Sequence, residues 1–370
     1  MKNTESYSCW VEVDLDAIKN NVNLIARKSG VQVMAIVKAN AYGHGAVPVA
    51  RAALRAGATW LGVARVNEAL ELRRAGLDCP VLLLGFTPPG RVAEAITHQI
   101  SMTVWRPEQI QMASTLARRL EHPARLHLKV DTGMSRLGVQ SQDALELGYR
   151  LARASHTIFE GLFTHFARAD ESDRSTTDRQ EVHFREVLRE FDSAGIRPPL
   201  VHAANSAASL TRPSACFDIV RAGIAIYGLH PSRQCQLPPD FRPALTWKSV
   251  LSHVKALPPG RGVSYGHIYT TRSEERIGTL PVGYADGFRR LTGNEVLVGG
   301  QRVPVVGQVC MDQSMLQLDT VPRASSGDEV VLIGSQGGEY ISAEEVASRW
   351  GTINYEVVCG IGPRVPRIYV

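Results

Sequence analysis

From Val31 to Arg221 the chain repeats one pattern, a short apolar run, a polar break and then a stretch with helical spacing. The apolar runs are Val31–Val37, Trp60–Ala64, Val81–Leu84, Ser101–Val104, Arg125–Val130, Phe159–Thr164, Leu200–Ala203 and Ile219–Arg221. Between them, Val47–Ala56, Asn67–Ala75, Arg91–Thr97, Glu108–Leu120, Asp143–Ala154 and Asp178–Ser193 read as helices. Runs that are apolar on both faces belong to parallel strands covered by helices. Eight of them in succession predict an α/β fold of the (β/α)8, TIM-type barrel class. A doubly wound sheet is the weaker alternative, because no Gly-x-Gly-x-x-Gly follows an early strand.

The pattern changes near Leu229. His230–Pro243 holds four prolines and no helical period, which marks a linker. Beyond it come short strands broken by Gly and Pro: Ser249–Ala256, Arg276–Leu280, Glu295–Val298, Val303–Val306, Ser314–Leu318 and Glu329–Ile333. With one short helix at Ala343–Trp350, they predict a predominantly antiparallel β domain. The expected organisation is therefore a barrel over residues 1–240 and a β domain over 241–370. Trp10–Asp14 alternates like a strand, so residues 1–14 are candidates to pair with the C-terminal domain.

Composition narrows the function classes. An apolar share of 44%, a charged share of 21% and a net charge of +5 describe an ordinary globular chain of 370 residues. No basic run is dense enough for nucleic acid or an anionic membrane. The first residues lack the apolar core of a signal peptide, and no stretch approaches membrane-span length. The six cysteines (9, 79, 216, 235, 310 and 359) contain no Cys-x-x-Cys pair, which argues against zinc and against a disulfide framework. A cytoplasmic, metal-free protein is expected.

In a barrel of this class, function collects where strands end and βα loops begin. Lys38 falls there, closing the first run before Ala-Asn-Ala-Tyr42-Gly-His-Gly45. A lysine at the end of a buried strand is partly desolvated, which favours its neutral, nucleophilic form. Gly43 and Gly45 let the backbone approach a ligand, and Tyr42 offers a hydroxyl. Lys129 ends the fifth run and His165 the sixth, Asn205 and Ser206 follow the seventh, and Arg221 ends the eighth. One polar residue at a strand end is more often a structural hydrogen-bonder; six at matching ends point to a site. Phosphate in such barrels binds after the last two strands, where Ser206, Gly223 and Ile224 stand.

The segment from the first strand through Lys38 to Gly45 resembles the pyridoxal-phosphate lysine segment of alanine racemases. The resemblance extends over nearly the whole chain. It runs through Leu128-Lys-Val-Asp-Thr-Gly-Met-Ser-Arg-Leu-Gly138, Thr164-His-Phe-Ala-Arg-Ala-Asp170, His202-Ala-Ala-Asn-Ser206 and Val220-Arg-Ala-Gly-Ile-Ala-Ile-Tyr-Gly228. Val263-Ser-Tyr-Gly266, Pro281-Val-Gly-Tyr-Ala-Asp-Gly287, Val309-Cys-Met-Asp312 and Asn354-Tyr-Glu356 complete it in the family's order.

The resemblance implies interconversion of L- and D-alanine, supplying D-alanine for peptidoglycan, on pyridoxal 5'-phosphate held first by Lys38 and then as a substrate external aldimine. It also implies a homodimer with shared sites, in which Lys38 is one base and Tyr265, arriving from the other subunit, is the second. Tyr42, Ser206, Gly223, Ile224 and Tyr355 would hold the phosphate, with His165, Asn205 and Arg221 around the cofactor. Arg136 and the Met311 backbone would take the substrate carboxylate. Tyr284 would belong to the entryway, and Lys129 would match a lysine often carbamylated in the family.

A guanidinium facing the pyridine nitrogen has no acceptor and leaves that nitrogen unprotonated, which favours proton exchange at Cα over transamination. A serine or broad-specificity racemase of the same family is the alternative activity, and Tyr355 leans towards alanine by crowding longer side chains. A related barrel-plus-β decarboxylase fits less well, since neither its Gly-Gly-Gly phosphate segment nor an acidic ring-nitrogen partner is visible. A non-catalytic carrier of the cofactor would lack the last third of the chain.

Overall fold

The computed structural model describes residues 6–370 and divides into two compact units. One is Asp16–Arg242; the other joins Pro243–Val370 to the N-terminal strand. Of the 1–14 segment considered above, residues 1–5 lie outside the described residues.

In the first unit eight strands lie side by side, all parallel. Their order is Ile219–Ala222, Gln32–Ile36, Trp60–Val63, Val81–Leu83, Ser101–Val104, Ala124–Asp131, Thr157–Phe163 and Leu200–His202. The seam between the last and first of these is bridged by the Asp218 N–H to the Val201 carbonyl (3.1 Å) and the Arg221 N–H to the Ala204 carbonyl (2.9 Å). Helices Ala46–Arg55, Val66–Arg74, Val92–Thr97, Pro107–Leu120, Ala144–Arg153, Ser175–Ser193 and Ser206–Thr211 follow successive strands. Each turns an apolar stripe inward; in Ser175–Ser193 it is Phe184, Val187, Leu188 and Phe191. The strands are buried on both faces, as the continuous apolar runs require. Truncating a core side chain such as Met34 or Leu82, both 0% exposed, would cost about 2–5 kcal/mol.

The second unit is built on one sheet, in the order His253–Leu257, Glu275–Leu280, Ser314–Gln317, Gln301–Val306, Glu295–Val298, Glu329–Gln336, Leu245–Val250, Cys9–Val13 and Arg367–Tyr369. Only the last pairing is parallel. Trp247, fully buried on the Leu245–Val250 strand, is edge-on to Phe288, which meets Trp350 in the same way. Two expectations need correction. The single strand predicted over Ser249–Ala256 is two strands, because the chain changes partners at Leu251 and Ser252, whose N–H groups go to the Asp328 and Thr279 carbonyls. Alternation alone does not register that switch. A second helix, Asn354–Gly360, also follows the Ala343–Arg349 one.

Candidate active site

Lys38 stands just beyond the Gln32–Ile36 strand, at the head of a turn rather than in an open glycine loop. Ala39, Asn40, Ala41 and Tyr42 all have φ of 52–53°, one turn of left-handed helix without glycine. Such a conformation costs roughly 1–2 kcal/mol per residue and persists only where surroundings fix it. Here Glu68 accepts from the Ala39 N–H (2.6 Å) while also capping its own helix, Val66–Arg74, through the Ala64 and Arg65 N–H groups. Asn40 accepts from the Ala46 N–H (2.8 Å), and the Gly45 N–H returns to the Asn40 carbonyl (2.9 Å). The turn delivers Tyr42, 8% exposed, against Tyr227, whose hydroxyl donates to the Ile36 carbonyl.

Arg221 is 4% exposed on the Ile219–Ala222 strand. It donates to the Thr164 carbonyl (2.7 Å), the Ala203 carbonyl (2.8 Å), His165 Nδ1 (3.1 Å) and His202 Nδ1 (2.7 Å). Burial brings its pKa down to about 9, still protonated at neutral pH. Lys129, 3% exposed, is brought to about 8 by burial and then by the charges of Arg221 and Arg136, with Asp131 opposing. Burial, followed by Arg221, Lys129, Arg136 and Lys38, holds the His165 imidazole well below its usual pKa. Phe163 receives both Lys129 and Arg221 over its ring, at 5.6 and 5.3 Å. The strand ends thus gather positive charge, an environment suited to an anion.

Beside them, the Gly223 and Ala225 N–H groups converge on the Ser206 hydroxyl oxygen at 2.8 and 3.3 Å. With its lone pairs so engaged, that hydroxyl has its proton to offer a ligand. A Cβ on Gly223 would fall 2.7 Å from the Tyr42 hydroxyl, so glycine keeps the cradle open. Asn205 caps the Ser206–Thr211 helix by accepting from the Ala208 N–H, and Ile224 is buried in the turn that follows Gly223.

Arg136 is exposed on a loop gathered by Asp131, whose Oδ1 accepts from the Gly133, Met134 and Ser135 N–H groups, each at 3.0 Å. A cavity of about 840 Å³ opens beside this loop, lined by Phe86, Met102, Trp105, Met112 and Arg136.

The remaining candidates belong to the β unit. Tyr265 is 70% exposed and Met311 53% exposed, and both line one open hollow with Ser264, His267, Cys310 and Asp312. Ser264, held at φ 63°, donates to the Gln308 carbonyl (2.6 Å). Tyr284, 44% exposed, is tied to this loop by its N–H to the Cys310 carbonyl, and the Ala285 N–H goes to the Met311 carbonyl. Tyr355 is half-buried in the Asn354–Gly360 helix.

Reading strand ends alone passed over three groups deeper in the barrel: His202 behind Arg221, then His127, then Glu160. The signal was available in Arg125, His127 and Lys129, polar at every second position of a run that should be apolar throughout.

Two family models cover almost the whole chain: "Alanine racemase, N-terminal domain" matches residues 13–231 and "Alanine racemase, C-terminal domain" residues 244–369. The chain is 49% identical to the alanine racemase of Symbiobacterium thermophilum, over 97% of its own length and 96% of that protein. It is similarly 49% identical to that of Geobacillus kaustophilus, over 97% and 94%. Among solved structures it is similar to the Bacillus anthracis alanine racemase with bound L-Ala-P, with TM-score 0.93, 46% identity and coverage of 98% and 95%. The enzyme of D-cycloserine-producing Streptomyces lavendulae also superimposes with TM-score 0.93, at 41% identity and coverage of 98% and 97%.

Proposed function

The chain belongs to the alanine racemase family and interconverts L- and D-alanine, and from that premise we propose how its residues do so. The reading is a homodimeric, cytoplasmic enzyme with pyridoxal 5'-phosphate at the C-terminal ends of the barrel strands. The observation that carries it is the gathering of Lys38, Lys129, Arg136 and Arg221 about His165, together with the cradle in which the N–H of Gly223, two residues beyond Arg221, meets Ser206. Those residues fit an anionic pyridine cofactor. The converging amides and the Ser206 hydroxyl suit a phosphate, Tyr42 borders it at Gly223, and Tyr355 joins it by resemblance. His165 and Asn205 lie beside Arg221 and Ser206. When bound, the cofactor supplies an electron sink that acidifies the substrate's Cα–H.

The protein's own residues do the rest. Lys38 takes or returns the Cα proton on one face, and Tyr265, supplied by the partner subunit's β unit, serves the other. Arg221 presents N–H donors and no acceptor, so a ring nitrogen held beside it would find no acceptor for a proton of its own and would stay unprotonated. Arg136, with the Met311 backbone, takes the substrate carboxylate, and the Asp131-gathered loop sets where its guanidinium lies. Tyr284 lines the entry. Lys129, with its pKa near 8, has a substantial neutral fraction at neutral pH. That free amine can attack CO2 and lose a proton, giving a carbamate that would orient Arg136. Six free cysteines suit a reducing compartment.

The test is racemisation by the purified protein across alanine, serine, lysine and glutamate, with the visible spectrum recorded. Borohydride reduction followed by peptide mapping should label Lys38. A label on Lys129, or a protein that stays colourless after addition of the cofactor, would overturn the assignment.

A further inference from the structure

Glu160 lies two imidazoles away from Arg221, and every link between them is a hydrogen bond inside the barrel. Arg221 Nη1 meets His202 Nδ1 at 2.7 Å, His202 Nε2 meets His127 Nδ1 at 3.0 Å, and His127 Nε2 meets Glu160 Oε2 at 3.3 Å. The two histidines are 0% exposed and Glu160 is 7% exposed. Ser101 donates to the same Glu160 oxygen, and Arg125 Nη1 reaches the other at 2.9 Å.

The direction of this chain follows from its two ends. A guanidinium can only donate, so His202 Nδ1 must accept and the ring's proton must sit on Nε2. That proton goes to His127 Nδ1, which must then be bare, so His127 also carries its proton on Nε2. The last N–H points at Glu160, and an ionised carboxylate can only accept. Both imidazoles are therefore neutral and in the same tautomer. A charged His127 would leave His202 Nε2 accepting while its Nδ1 also accepts, which a neutral ring cannot do. Burial works against the Glu160 carboxylate, but donation from His127, Ser101 and Arg125 outweighs it and holds the carboxyl below its usual pKa. Burial, and then the charge of Arg221, keeps His202 neutral.

The backbone is shaped for this arrangement. The pairing of Ala124–Asp131 with Thr157–Phe163 slips between Leu126 and His127, so Leu126 faces Phe159 and His127 faces Gly161. Glu160 is the extra residue of that bulge, the kind of irregularity that re-aims a side chain. Gly161 leaves the room: a Cβ there would lie 2.2 Å from His127 Nδ1. Phe163 stacks on His202 at 4.5 Å and 12°, and Trp60 meets His127 edge-on at 5.5 Å, so each ring is packed against an aromatic neighbour.

We propose that Glu160 is a positioning residue for racemisation: as an acceptor-only anchor it fixes the tautomers of His127 and His202, and through them keeps an acceptor facing Arg221. This rests on the reading that Arg221 faces the cofactor's ring nitrogen. If Glu160 were an amide, its NH2 could donate to His127 Nε2. The chain would then reverse and turn the His202 Nδ1–H against the Arg221 N–H. Arg221 would lose its shortest side-chain partner and shift from the position the ring nitrogen requires.

The experiment is nitrogen NMR of 15N-histidine-labelled holoenzyme, as wild type, Glu160→Gln and Arg125→Gln, with racemisation and transamination measured on the same samples. In the wild type, His127 and His202 should both be neutral with the proton on Nε2. In Glu160→Gln at least one ring should move its proton to Nδ1. Racemisation should fall about tenfold, the size of losing an outer hydrogen-bond partner, and the share of transamination should change. Arg125→Gln, which keeps the carboxylate, should leave tautomers and product partition as in wild type. A wild-type His202 protonated on Nδ1 would overturn the proposal whether or not Glu160→Gln folds. So would a folded Glu160→Gln with unchanged tautomers, or with switched tautomers and unchanged kinetics. Because the tautomers are read without reference to turnover, failure of the relay is distinguishable from failure of the cofactor reading, which would show as wild-type tautomers in a protein that never binds the cofactor.

Discussion

Arg221 in the barrel unit and Tyr265 in the β unit mark two extremes in how a reactive side chain is kept. Arg221 is 4% exposed, donates to two carbonyls and two imidazoles, and has its pKa drawn down to about 9 by burial. Tyr265 is 70% exposed, next to Ser264, whose hydroxyl donates to the Gln308 carbonyl. The barrel half of the site is thus organised by its own chain, with charges close enough to perturb one another. In the proposed reading, the β half offers a side chain whose working environment its own unit does not build. In the proposed enzyme that environment is the barrel of the partner subunit.

The largest effects should come from removing either base. Lys38→Ala and Tyr265→Phe are each expected to lower racemisation by about 10²–10⁴-fold. Only Lys38→Ala should also abolish the borohydride label, and a Tyr265→Phe protein that failed to bind the cofactor would erase the distinction between the two halves. Arg221→Glu comes next. A carboxylate facing the ring nitrogen would hold a proton there, so racemisation falls and transamination rises relative to it. An unchanged product ratio with cofactor bound would count against the role of Arg221.

Smaller again is Ser206→Ala, which removes one donor to a charged ligand and should weaken cofactor binding by roughly 10–100-fold, read by titrating the cofactor into stripped protein. Equal affinity would move the phosphate elsewhere. The smallest is Asp131→Asn, which keeps the geometry of the three N–H contacts but replaces a charged acceptor by a neutral one. The KM for alanine should rise by about threefold to tenfold with little change in kcat. A change in kcat alone would place the Arg136 loop outside substrate binding.

The two halves were also unequally legible in the sequence. The barrel could be read because each strand is a run apolar on both faces and each helix carries an inward stripe, two periods that do not depend on distant partners. Lys38, Lys129, His165, Ser206 and Arg221 stood out where those runs stop. What escaped was backbone that contradicts local preference. Four successive residues of Ala-Asn-Ala-Tyr in a left-handed turn are not announced by local preference; Glu68 fixes the turn from outside, and the Asn40 side chain ties it to the next helix through the Ala46 N–H. The bulge at Glu160 was equally silent, since it depends on register against a neighbouring strand. In the β unit, the run over Ser249–Ala256 hid a change of partners, and Tyr265 had no signal beyond resemblance, because in the proposed dimer its working partners belong to another chain.

That contrast has one direct test. Lys38→Ala and Tyr265→Phe dimers are dissociated, mixed in equal amounts and reassociated, and racemisation is measured once subunit exchange has been verified. If each site takes Lys38 from one chain and Tyr265 from the other, a mixed dimer collects both defects in one site and leaves the other intact. About half the dimers are mixed, so about a quarter of wild-type activity should return. If both bases served a site within one chain, every site would stay defective, and remixing would restore nothing.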